Sequence, residues 1–133
     1  MPLSPAERDY FDELAEEVVA ELPEMARVVL NETPLVIEDH PPKWLMREMG
    51  VERREDLQGL HQGRDPQTRS VDDGWELPEQ ITIYRLGIMA LARDERGRVD
   101  PGELREQIRI TILHEIGHHF GMDEDDLEEL DYD

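Results

Sequence analysis

"HEIGHHFGMDEDD", residues 114–126, decides how this chain is read. Three of the five histidines fall between positions 114 and 119, and a run of acids follows at once. Either this is a metal site that does chemistry, or it is a polar helix end with incidental histidines. His114-Glu115-Ile116-Gly117-His118 fits the pattern H-E-x-x-H, and the spacing has a physical meaning. Residues i and i+4 stand one above the other on one face of a helix, so two imidazoles can grip one zinc ion at roughly 2.0–2.1 Å each. Glu115 lies about 100° round the helix from His114. That is off the ligand axis but within reach of a water in an open coordination position, where a general base belongs. In a chain of this composition the pattern arises by chance in roughly a few per cent of cases, and the Gly three residues after the second His lowers that by about tenfold.

Gly121 lets the chain leave the helix by a left-handed turn and double back toward the metal. Asp123, Glu124 and Asp125 then offer a third ligand. Motifs of the type HExxHxxGxx[HD] place it three residues after the Gly, which here is Glu124. Asp123 precedes EDDLEEL, whose Leu127 and Leu130 have helical spacing, so it suits an N-cap and stands second as a ligand. His119 is turned about 100° from His118 and is expected to be packed or hydrogen-bonded. His40 and His61 lie in loop-like stretches and are expected to be exposed. DEDDLEEL lacks the Gly and the alternating spacing of an EF-hand loop, so it reads as a solvated helix face.

Outward from the motif, ELREQIRITILHEIGHHF (103–120) runs without a break, and Asp100-Pro101-Gly102-Glu103 is a helix start, so a helix of about twenty residues carries the motif. Ser4-Pro5-Ala6-Glu7 is a similar start with a capping box, followed by apolar residues at Phe11, Leu14, Val18 and Leu22. PEMARVVLN (23–31) makes a second helix, and KWLMREMG (43–50) one or two helical turns. TPLVIED (33–39) and ITIYRLGI (81–88) read as strands, with a short strand near 58–62 and a long loop after it. The expected order is α-α-β-(β)-β-α-tail, one α+β domain over residues 1–133.

The chain has no cysteine, so disulfides and thiolate ligands are excluded and a cytoplasmic home is the default. MPLSPAERDYFDEL has neither a basic start nor an apolar run and is not expected to be a signal peptide. No 18 consecutive apolar residues occur, so no membrane span is expected. The net charge of −20 opposes binding to nucleic acid or anionic membranes, both of which require a basic surface.

The chain resembles the small bacterial zincin-like metallopeptidases, or mini-zincins, a family once classed as a domain of unknown function. The resemblance rests most firmly on TILHEIGHHFGMDEDDLEEL (111–130), and TPLVIEDHPP (33–42), DLQGLHQG (56–63) and RSVDDGWELPEQITIYR (69–85) support it. It implies a compact α+β zincin-like fold, a small sheet with a strand beside an active-site helix, zinc at His114 and His118, and Glu115 as base. Members of that family place Asp three residues after the Gly, preceded by Ser; Glu124 and Asp123 stand there in this chain. The function expected is therefore that of a zinc-dependent metallopeptidase acting on a peptide or protein. The strand ITIYRLGI would pair with the substrate, and Tyr84 is a candidate for stabilising the oxyanion. The alternative is a non-catalytic binding or regulatory module with weak or structural metal. The acidic tail, eight acids in the last eleven residues, would then be its interaction surface. The short chain favours that alternative, because it leaves little material to wall a cleft, while the intact Glu115 opposes it.

Overall fold

The cap signals at both long helices act as the sequence requires. Ser4 accepts from the Glu7 backbone N–H at 3.1 Å while Glu7 accepts from that of Ser4 at 3.0 Å, which starts α1 (Pro5–Glu21). The structure, a computed structural model, describes residues 3–62 and 79–120. After α1 come α2 (Glu24–Glu32), β1 (Leu35–Glu38), α3 (Lys43–Met49) and a 3-10 turn (Arg54–Asp56). β2 (Gly59–Gln62), β3 (Gln80–Tyr84), α4 (Arg85–Leu91) and α5 (Pro101–His119) follow. The left-handed Gly50, with φ of 67°, ends α3, and its Cβ-free backbone takes that conformation without strain.

The sheet has the order β1-β3-β2, with β1 parallel and β2 antiparallel to β3. Helices and a small mixed sheet make this an α+β fold, as expected. β3 is central and buried from Ile81 to Tyr84. The expectation of a strand through residue 88 is corrected: the strand stops at Tyr84 and α4 begins at Arg85. A strand buried on both faces is a continuous apolar run, and such a run does not reveal where a helix takes over. Ile88, Met89 and Ala92 continue the core from the helix.

α5 has two working faces. Leu104, Ile108, Ile112 and Ile116 recur every four residues and point into the core, where they join Phe11, Leu14 and Val18 of α1 and Ile81 and Ile83 of β3. The second face lies toward β2 and carries the motif. Asp100 caps α5, accepting from the Glu103 backbone N–H at 2.8 Å, and Pro101 occupies the first turn. No helix among the described residues is long and apolar enough to cross a membrane.

Candidate metal centre and cleft

The H-E-x-x-H residues sit in the last two turns of α5, where i, i+4 spacing stacks His114 and His118. Their rings meet edge to face, with centroids 4.6 Å apart and planes at 75°. Glu115 joins them: one ligand atom from each of the three lies within 4.8 Å of the others, a group able to hold a metal ion. Imidazole and carboxylate are donor types that suit zinc. Glu115 is only 8% exposed, and burying a carboxylate is costly unless something compensates for it. A cation held by the flanking imidazoles is one such compensation.

β2 presses on α5 here. A Cβ added to Gly59 would come within 2.9 Å of Thr111 Cγ2 and 3.2 Å of Glu115 Cγ, so the strand can lie this close only because residue 59 has no side chain. Thr111 donates its hydroxyl to the Gln107 carbonyl at 2.7 Å, which leaves its methyl against the strand.

A cleft of about 570 Å³ opens over this corner. One wall is the second face of α5: Gln107, Ile110, Thr111, His114, Glu115 and His118. From Gln107 to His118 is eleven helical steps, or about 16 Å along the helix. The 57–60 segment makes the opposite wall, and Met49 and Leu91, at the ends of α3 and α4, close the side. Its volume lies within the ordinary range for ligand sites. The short chain has thus found material for a cleft by laying one edge strand along one helix.

The structure brings His114, Glu115 and His118 together. Glu124 and Asp123, the candidate third ligands, lie outside the described residues. His119 is half-buried, with Nδ1 3.7 Å from Glu79 Oε2 and its ring edge-on to Phe120, as expected of a packed histidine. His40 is half-buried rather than exposed, its Nδ1 3.0 Å from the Pro41 carbonyl oxygen, and His61 falls on β2, the short strand expected near 58–62, and not in a loop. Two further expectations are corrected. β3 is bonded on both sides, so it has no edge to offer a peptide. Tyr84 is 2% exposed and outside the cleft lining; burial, then the negative charge of Glu38, pushes its phenol up to about 12. A phenol buried away from the cleft cannot donate to an oxyanion there. Sequence reasoning missed Ile110, Thr111 and Gln107, though counting back from His114 by four, three and seven would have found them. It had no means of finding Met49, Leu57 or Leu91, which chain topology brings in from elsewhere.

Compared with curated proteins, the chain matches none. The model of one family, described as zincin-like metallopeptidase, matches residues 30–133. That span holds the whole sheet, the cleft walls and the His-Glu-His group, and it covers most of the sequence: the chain belongs to the zincin-like metallopeptidase family.

Proposed function

We propose that this chain is a zinc-dependent metallopeptidase that hydrolyses a peptide bond with Glu115 as general base. One observation carries the reading. A buried carboxylate lies within 4.8 Å of two imidazoles that meet edge to face, and it also lines a cleft large enough for several residues of a peptide. His114 and His118 would hold zinc, and Glu124, or failing that Asp123, would complete the set. Zinc, when bound, supplies Lewis acidity, polarising a carbonyl and making water acidic near neutral pH. Glu115 takes the proton of the attacking water and passes it to the departing amine nitrogen as the C–N bond breaks. Contact with β2 restricts the Glu115 side chain, so the base is held in place before substrate arrives. A purely structural metal site has no use for a base in this position, which counts against a non-catalytic module.

The chain is proposed to act as one domain over residues 1–133. α1 lies outside the matched span, yet its Phe11 and Val18 share a core with α5. The lack of cysteines supports a cytoplasmic location.

Metal analysis of the purified protein, then digestion of a peptide library with and without chelator, tests this reading. We expect one zinc per chain, its loss in His114→Ala and in His118→Ala, and cleavage that chelator abolishes and zinc restores. Full zinc in both single variants would remove the metal assignment. Stoichiometric zinc with no cleavage of any library member would favour the non-catalytic module.

A further inference from the structure

The cleft differs in character from the rest of the molecule. Asp, Glu, Lys and Arg make up 36% of the chain, yet of the twelve described residues that line the cleft only Glu115 belongs to that set. Five of the others are aliphatic: Met49, Leu57, Leu60, Leu91 and Ile110. Four separate segments contribute them, so no single helix stripe or strand face accounts for the cluster. Scattered exposed apolar residues need no explanation, but Met49 and Leu91, 45% and 50% exposed, turn into one concavity.

Position and rigidity point the same way. Ile110 is one turn before His114 on the same face of α5, about 6 Å along the axis. An extended peptide advances about 3.3 Å per residue, so a side chain one or two residues from a bond held at the His-Glu-His corner reaches Ile110. The facing wall is pinned. A Cβ on Gly87 would meet the Leu57 carbonyl oxygen at 2.2 Å, so α4 grips that backbone directly, and the Tyr84 N–H donates to the Gln58 carbonyl oxygen at 2.8 Å. A preformed aliphatic wall can discriminate by size, because it does not collapse around a smaller group.

We propose that Met49, Leu57, Leu91 and Ile110 form the specificity pocket of the cleft, and that it selects peptides with a large aliphatic side chain, leucine in type, beside the scissile bond. This rests on the peptidase reading, so the test separates the two. Blocked hexapeptides Ac-Ala-Ala-Ala-Xaa-Ala-Ala-NH₂, with Xaa as Leu, Ala, Glu or Lys, are titrated into the full-length Glu115→Gln protein with zinc present, and binding is followed by calorimetry. The same peptides are given to the unsubstituted protein and cleavage is followed by mass spectrometry. We expect the Leu peptide to exceed the Ala peptide by about tenfold or more in both readouts. Leu91→Glu and Met49→Glu, both at half-exposed positions that tolerate a charge, should erase that preference and raise the Lys peptide above the Glu peptide. Val28→Glu places the same charge at an exposed site on α2 outside the cleft and should leave the preference intact. A Leu preference that survives both cleft variants overturns the pocket, as does cleavage without selectivity, which leaves the peptidase reading standing. Selective binding without cleavage of any peptide overturns the peptidase reading and keeps the pocket as a peptide-recognition site.

Discussion

At Glu115, a side chain 8% exposed borders both a strand and a cleft, and each border makes a separate prediction. Glu115→Gln keeps the size and removes the basicity. Zinc content should stay at one per chain while kcat falls by about 10²-fold or more, read by metal analysis and steady-state kinetics on one preparation. Equal kcat would take Glu115 out of the mechanism. Gly59→Ala tests the strand side. The added methyl meets Thr111 Cγ2 at 2.9 Å and Glu115 Cγ at 3.2 Å, so β2 or the side chains of Thr111 and Glu115 must move. Overpacking of this kind costs about 1–3 kcal/mol. A base shifted by a fraction of an ångström should also lower kcat by about tenfold or more, with zinc retained. A variant with normal kcat and a lowered Tm would show that Gly59 serves packing alone. The third ligand is also a question for single residues. Glu124→Ala should weaken zinc binding by at least about tenfold and leave the metal-free melting temperature nearly unchanged. Asp123→Ala should cost about 1 kcal/mol of stability from a lost cap and spare most of the affinity. Swapped phenotypes would make Asp123 the ligand.

Among the elements, α5 supplies both a core stripe and the cleft wall, and its N-terminal cap lies more than ten residues from the site. Asp100 accepts from Glu103 N–H at 2.8 Å, and no other side chain caps that end among the described residues. Asp100→Ala should cost about 1 kcal/mol, a fall in Tm of about 3–5 °C for a chain of this size. Zinc affinity should not change, because His114 and His118 lie at the other end of the helix. A differential scanning calorimetry trace and a zinc titration check the two halves of this expectation. The switch from β3 to α4 shows the opposite case, an element that local signals cannot place. Residues 81–88 are apolar enough for a strand throughout. The helix starts where Arg85 is held, its guanidinium forked onto Asp12 at 2.9 Å through both Nε and Nη2, and where Gly87 allows α4 to touch the Leu57 carbonyl.

Across the whole molecule, that same arginine is part of a charged network. Arg85 also donates to Asp39 Oδ1 at 2.9 Å, and Arg8 donates to Asp39 Oδ2 at 2.9 Å. The network ties α1, outside the family-matched span, to the end of β1 and to α4 within it. Hydrogen bonding from Arg8, helped by Arg85 and opposed by partial burial, holds the Asp39 carboxyl below its ordinary value of 3.8. A carboxyl whose pKa is lower folded than unfolded adds stability above the unfolded value, and that stability is lost as pH falls through the folded value. Asp39 therefore stabilises the protein at neutral pH, and its contribution starts to decline at about pH 4 and is gone only below the lowered folded value. Asp39→Asn should lower stability at pH 7 by about 1–2 kcal/mol, and the gap from the unsubstituted protein should close in acid. Urea unfolding at a series of pH values measures this. A gap that is constant from pH 7 to pH 3 would show that packing, rather than charge, sets the effect.

The sequence alone determined what is local and periodic. The caps at Ser4 and Asp100, the faces of α1 and α5 and the stacking of His114 over His118 follow from hydrogen bonds and spacings within a few residues, so they are legible in the chain. The family resemblance is legible for the same reason, because the motif lies in one unbroken stretch. Only the tertiary structure decided that β3 is the central strand and cannot receive a peptide, and that Tyr84 is buried away from the cleft. It also decided that Gly59 lets β2 lie on Glu115, and that Met49, Leu57 and Leu91 meet Ile110 beside the histidines. These contacts join residues far apart in sequence, and no short-range pattern encodes which apolar side chains will share a wall: that depends on how the strands and helices close over one core.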